Sequence, residues 1–504
     1  MTGTALDAGR DHGLVDIAII GGGINGAGIA RDAAGRGLKV LLCEKGDFAE
    51  GTSSRSGKLV HGGLRYLEYY EFRLVREALI EREVLLASAP HIIWPMRFVL
   101  PHSPEQRPAW LVRTGLFLYD HLGGRKRLPP SRGLDLARAP EGGPLRAEFR
   151  RGFEYSDCWV DDARLVILNL IDAARKGATI LPRTRAVSAR REGDVWHLEM
   201  LGNEGAEQIV RARTLVNAAG PWVQDVVQGV TGLNSSHNVR LVKGSHIVVP
   251  KFWSGSQAYL LQNEDRRVIF VNPYEDDLAL IGTTDIPYNC RAEDVAIDDS
   301  EIGYLLGVLR RYFRAPPRES EIVHAFSGVR PLYDDSAENP SAVTRDYVFE
   351  IHGTPNVPPL LSIFGGKITT YRRLAEQALG RLEPWFPKIS PAWTAGSPLP
   401  GGDISGSFDQ FVIELARAYP DLPRKLMYHY ARLYGTRARE LLGKARISAD
   451  LGCHFGGDFY EREAIYLRDN EWAARSSDML ERRTKHGLHL TRAQRDAVGS
   501  YIGN

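Results

Sequence analysis

The chain has 504 residues, 43% hydrophobic and 25% charged, with a formal net charge of +2. That length exceeds what one core supports, so two or three domains are expected, with room to bury a large cofactor. Composition excludes a disordered or fibrous chain, the near-neutral balance speaks against a nucleic-acid binder, and no run approaches the ~18 apolar residues of a membrane span.

The first element expected is a strand at 15–20. Gly21-x-Gly23-x-x-Gly26, a helix-compatible run at 24–36 and a second strand at 38–44 follow it. The glycines allow a tight turn and close backbone approach, and the helix N-terminus faces a pyrophosphate. Glu44 closes the second strand, 18 residues after Gly26. A carboxylate there accepts ribose hydroxyls and repels a 2′-phosphate, so the pattern fits FAD or NAD without separating them. Thr52, Ser53, Ser54, Lys58, His61, Gly62, Gly63 and Leu64 then form a small, hydroxyl-rich stretch suited to flank an extended flavin dinucleotide.

The segment 109–122 is strongly apolar and flanked by Arg107, Arg113, Arg125, Lys126 and Arg127. It reads as an in-plane membrane helix or as a core helix with cationic flanks. Apolar strands at 214–217 and 360–364 end in small-residue turns, so the nucleotide unit is expected to be discontinuous. Gly220 and Trp222 sit in the first turn. Gly365, Gly366, Lys367, Ile368 and Thr369 sit in the second, where two glycines precede a helix start that offers N–H groups. Between the two returns, β-rich runs at 239–250, 257–262, 268–271 and 279–282 predict an antiparallel substrate sheet.

Arg330 and Arg345 lie among apolar or turn residues. Each reads either as a guanidinium fork for an anion or as a structural partner of an acid such as Asp346. His61 and His246 are the proton acceptors offered by motifs, His61 reading more as a hydrogen-bonding scaffold. Five prolines within 384–402 mark a boundary, and 408–501 has helical periodicity. The basic run 482–486 reads as a lipid-attracting or solvated patch. Cys43, Cys158, Cys290 and Cys453 form no CxxC pair, so neither a disulfide framework nor a cysteine zinc site is read, and no metal ligand set is assigned. With no leader pattern, the chain is expected to start near Met1 in a reducing compartment.

The motifs at 20–26, 53–68, 152–162, 243–246, 282–285, 327–331, 344–347 and 365–372 together resemble the aerobic, FAD-dependent glycerol-3-phosphate dehydrogenases of bacteria, nearly end to end. The calcium loops and transit peptide of mitochondrial relatives have no counterpart in the sequence. The resemblance implies an α/β fold: a Rossmann-like FAD-binding domain of glutathione-reductase type, an antiparallel-sheet substrate domain and a C-terminal helical cap. The oxidoreductase region is expected over 14–390, with FAD-binding parts at 14–85, 150–235 and 355–385, substrate parts at 86–149 and 236–354, and the cap at 403–504. It implies noncovalent FAD held by Gly21, Gly22, Gly23, Asn25, Gly26, Glu44, Lys45 and the later turn residues named above. Arg330 and Arg345 fall at the substrate phosphate, and Arg65, Tyr66, Thr283 and Lys367 near the flavin, with His246 a candidate base. The implied reaction takes sn-glycerol 3-phosphate to dihydroxyacetone phosphate by hydride transfer to FAD. Electrons then pass to ubiquinone or menaquinone at the cytoplasmic face of a bacterial inner membrane. Attachment to phospholipid is peripheral or monotopic, with a homodimer left open. A glycerol-3-phosphate oxidase and an amine or amino-acid oxidase are the rivals on the same fold.

Overall fold

The computed structural model describes residues 10–124, 126–265, 267–334 and 346–503. The strand Arg10–Ile20 is fully covered from Ala18 to Ile20, as a continuous apolar run in a parallel sheet must be. It pairs in parallel with Glu207–Asn217 on one side and Val40–Cys43 on the other, and the sheet extends to Thr179–Leu181 and Leu360–Gly365. Tyr347–His352 closes one edge in antiparallel fashion. Helices Ile24–Gly35, Asp162–Arg175 and Tyr371–Leu382 cover one face through a core that includes Ile17, Ile19, Val40, Leu168 and Leu374. The strands of this sheet come from three distant stretches of chain.

The second sheet runs in the order Ile286–Pro287, Val239–Pro250, Leu278–Gly282, Val268–Tyr274, Ala258–Gln262, Ile93–His102, Arg151–Val160 and Leu59–Val60, with His324–Tyr333 added beside Val239–Pro250. Its pairings are antiparallel except for Ala258–Gln262 with Ile93–His102. Three strands sit differently from the segment boundaries expected. Leu59–Val60 and Arg151–Val160 join this second sheet, and Tyr347–His352 joins the first. Their alternation says nothing about which sheet they enter.

Beyond the proline-rich stretch, helices Phe408–Ala418, Arg424–Tyr434, Glu461–Glu471 and Arg492–Ile502 close around Phe411, Leu426, Tyr430, Leu442 and Leu467, with a small hairpin, His454–Gly456 and Phe459–Tyr460, among them. The basic run at 482–486 is not a surface patch. Arg483 is 0% exposed and its guanidinium bonds Asp47 at 2.6 and 2.8 Å, while Arg482 bonds Asp47 and Asp478. Lys485 pairs with Asp161. Five consecutive polar residues give no sign of their partners, which lie more than 300 positions upstream in the case of Asp47 and Asp161. All four cysteines are free, Cys43 and Cys158 buried.

Candidate functional site

The two sheets meet across a cavity of about 1100 Å³. One wall is the turn after Arg10–Ile20. Gly21 has φ +116°, and a Cβ there would lie 2.5 Å from the Ala218 carbonyl oxygen; a Cβ on Gly26 would lie 2.0 Å from the Gly21 carbonyl oxygen. Only glycine builds this turn, which leaves the N-terminus of helix Ile24–Gly35 open to the cavity for an anionic pyrophosphate. Glu44 accepts hydrogen bonds from the Gly22 amide at 2.7 Å and the Gly46 amide at 2.8 Å, which fixes its carboxylate on the cavity wall. Burial raises its pKa and these two bonds oppose the rise. Ser53 Oγ accepts from the Ile24 amide at 3.0 Å, tying the hydroxyl-rich stretch to the glycine turn. Lys45 lies over the Trp222 ring at 3.8 Å and pairs with Glu293, closing the end of the cavity beside Glu44.

At the opposite end, Gly365 and Gly366 hold φ +85° and +108° and deliver the chain to the turn Ile368–Thr370 and the helix Tyr371–Leu382. Asn25 Nδ2 donates to the Gly365 carbonyl at 3.2 Å, and the His61 amide donates to Thr369 Oγ1 at 3.3 Å. Lys367 Nζ sits 4.1 Å from the centre of the Tyr66 ring.

The second sheet supplies the remaining wall. Arg330 pairs with Asp285 and donates to Thr283 Oγ1 at 3.3 Å. His246 is buried, stacked on Phe326 at 5.0 Å, with its Nδ1 buried and without a hydrogen-bond partner. Burial, and then the cations Arg330 and Lys58, push its pKa down to about 3. The imidazole is therefore neutral at physiological pH. Behind this wall, Glu301 accepts from Ser245 and Thr284 at 2.8 Å each and pairs with Lys243 at 2.7 Å, locking the strand Val239–Pro250 to its neighbours.

Of the residues singled out from sequence, Gly21, Gly23, Asn25, Glu44, Lys45, Thr52, Ser53, His61, Gly63, Leu64, Gly220, Trp222, Gly365, Gly366, Lys367, Ile368 and Thr369 line this one cavity. Arg65, Tyr66, His246, Thr283 and Arg330 line it as well. Gly22, Gly26, Ser54, Lys58 and Gly62 do not line it. Gly22 and Gly26 shape the turn from behind, and the Gly62 amide donates to Tyr119 at 2.7 Å. Lys58 turns inward to a buried pair with Asp162 at 2.7 Å, and the Ser54 carbonyl accepts from the same ammonium. Arg345 lies outside the described residues. Sequence reasoning passed over Arg55, which lines the cavity and donates to the Ser327 carbonyl, and Asp285, which orients Arg330. Both stood inside stretches singled out for other residues.

The glycine cradle, the Glu44 carboxylate and the helix start at the far end fit an extended flavin dinucleotide. Comparison with known proteins agrees. The model of the FAD dependent oxidoreductase family matches residues 16–372, and that of the C-terminal domain of alpha-glycerophosphate oxidase matches 392–502. A D-erythritol 1-phosphate dehydrogenase of Brucella abortus (strain 2308) is 63% identical, covering 97% of this chain and 98% of its own. The aerobic glycerol-3-phosphate dehydrogenase of Escherichia coli (strain K12) is 54% identical over 97% of each chain. A crystal structure of the glycerol-3-phosphate dehydrogenase of Bacillus halodurans with FAD is 25% identical, with a TM-score of 0.76 over 97% of this chain and 94% of that one.

Proposed function

This chain belongs to the family of FAD-dependent glycerol-3-phosphate dehydrogenases, and on that premise we propose that it oxidises sn-glycerol 3-phosphate to dihydroxyacetone phosphate and passes the electrons to membrane quinone. The observation that supports this most is the placing of Arg330, a cation anchored by Asp285 on the cavity wall, in electrostatic reach of the neutral His246. FAD, when bound, supplies the hydride acceptor. A guanidinium has five N–H donors, and the contacts to Asp285 and Thr283 leave others for a phosphate. His246 Nε2, on the side of the cavity-lining Gly57, takes the proton of the C2 hydroxyl as the carbon loses hydride. A phosphate dianion beside Arg330 offsets one of the charges that depress the imidazole, so binding of substrate makes the base stronger. Arg65, Tyr66, Thr283 and Lys367 orient the hydroxyls and face charge on the reduced cofactor. Arg345 belongs to this reading as a second phosphate ligand.

Electron transfer to quinone requires a lipid-facing mouth. Among the described residues no helix is long and apolar enough to cross a membrane. Helix Ala109–Leu122 instead exposes Trp110 (70%) and Phe117 (54%), and Tyr70 (80%) stands nearby on the cavity rim. We take this apolar rim as the monotopic attachment face on the cytoplasmic side of the membrane.

One observation favours a second reading of the substrate: the relative named for D-erythritol 1-phosphate is 63% identical. That compound also carries a phosphate and a secondary carbinol, on a carbon chain one longer. The oxidase alternatives are not favoured, because relatives matching nearly the full length are named dehydrogenases. Initial rates with a soluble quinone analogue decide among these. The first reading expects a higher kcat/KM for sn-glycerol 3-phosphate than for D-erythritol 1-phosphate, with unphosphorylated glycerol far below both. The reverse order assigns the longer substrate, and turnover of neither phosphate removes both readings.

A further inference from the structure

The C-terminal unit holds a second cluster of chemistry-bearing side chains, none of which lines the large cavity. His429 comes from helix Arg424–Tyr434, Glu463 from helix Glu461–Glu471 and His486 from the turn His486–Leu488. One ligand atom from each lies within 4.8 Å of the other two. His429 Nε2 is 3.3 Å from Glu463 Oε1, and His486 Nε2 is 3.5 Å from Glu463 Oε2.

Both separations are longer than a closed ion pair. A charge-assisted hydrogen bond between imidazolium and carboxylate closes to about 2.7–2.9 Å. A tetrahedral zinc ion with bonds of about 2.0–2.1 Å to nitrogen and oxygen holds its ligand atoms roughly 3.3–3.4 Å apart, the edge of the polyhedron. The observed 3.3 and 3.5 Å run to the two different oxygens of one carboxylate, longer than the first spacing and near the second. Glu463 Oε2 and His486 Nε2, the two atoms of the longer contact, are buried and have no further hydrogen-bond partner. Burial leaves such atoms under-coordinated, and a cation between them satisfies both.

The surroundings are those of a ligand set held in place. Tyr434 donates its hydroxyl to Glu463 Oε1 at 2.7 Å, fixing the carboxylate from outside. Phe459 packs against the His486 ring at 5.0 Å, and the two imidazoles converge with centroids 4.6 Å apart. Asp458 adds further negative charge near His429, which favours a cation over a neutral occupant.

We propose that His429, Glu463 and His486 bind one divalent transition-metal ion, zinc by ligand type, as a structural site that ties together three segments of the C-terminal unit. Two imidazoles and a carboxylate suit zinc, and the partly exposed side of His429 leaves room for a water as fourth ligand.

The test uses the full FAD-loaded chain purified without a metal-affinity tag. Elemental analysis is expected to find close to one zinc per chain. After chelator treatment, titration with cobalt(II) is expected to give visible absorption bands at wavelengths beyond those of the flavin, saturating at one equivalent. His429→Gln, at the accessible edge of the cluster, is expected to abolish those bands while the flavin spectrum and circular dichroism stay unchanged. Glu463→Gln is expected to do the same if it folds. The proposal is overturned if the stripped parent takes up neither zinc nor cobalt at micromolar free metal. It is equally overturned if His429→Gln binds as the parent does. Either result makes the cluster an ion-paired triad only.

Discussion

Arg330 shows what a single residue reveals and conceals in sequence. Its setting between glycine, valine and proline marked it as something other than a charged helix face, and the structure brings it to the cavity wall. Its partner Asp285, 45 positions earlier, was not foreseeable, because Ile286–Pro287 and His324–Tyr333 each pair with Val239–Pro250 and both registers decide which side chains meet. Lys58 shows the reverse. Its neighbours suggested a cofactor contact, but a lysine on a turn can reach either way, and the buried Asp162 draws it inward. If Arg330 holds the substrate phosphate, Arg330→Ala is expected to keep FAD and the fold. It should lose about 1.5–3 kcal/mol of transition-state binding, roughly tenfold to over a hundredfold in kcat/KM with glycerol 3-phosphate. Arg330→Lys is expected to recover part of that, since it restores the charge without the fork. Steady-state kinetics check this, with unphosphorylated glycerol as the control that neither variant changes.

At the scale of elements, the strand–turn–helix of the nucleotide site, the β-rich substrate runs and the C-terminal helices were all legible, because each has a periodicity or a glycine pattern of its own. The tie between the C-terminal unit and the nucleotide unit was not. Asp47 belongs to the loop after Val40–Cys43, and Arg482 and Arg483 reach it from the far end of the chain. Burial raises the Asp47 carboxyl, but Arg483 and Arg482 overcome it and hold the group below its usual range. Removing one partner of such a buried pair leaves an uncompensated charge, so Asp47→Asn is expected to cost about 3–5 kcal/mol. Because the same loop places Ala49 and Glu50 on the cavity wall, FAD retention should fall with it. Thermal and denaturant unfolding of the FAD-loaded protein measure the loss. The exposed pair Arg190–Glu199 provides the comparison, where Arg190→Ala should leave the unfolding transition close to the parent's.

For the whole molecule, the glycine turn on one sheet, the wall of Arg330 and His246 on the other and residues of helix Ala109–Leu122 line one cavity, which the proposed function reads as a path from substrate to lipid. Sequence alone left that helix between a membrane face and a core helix; the structure gives it one buried side and one exposed apolar side. Leu116 is 0% exposed and Tyr119 buried, while Trp110 and Phe117 face outward. Replacing Trp110 and Phe117 together by serine is expected to release the protein from phospholipid vesicles in a sedimentation assay while its flavin spectrum stays unchanged. Undiminished vesicle binding would place attachment elsewhere. The central claim, that this site oxidises a phosphorylated polyol through bound FAD, is tested most directly by anaerobic addition of sn-glycerol 3-phosphate to the FAD-loaded chain. The yellow flavin absorption should bleach with one dihydroxyacetone phosphate formed per flavin and return on addition of a quinone. A flavin spectrum left unchanged by both glycerol 3-phosphate and D-erythritol 1-phosphate would contradict the account.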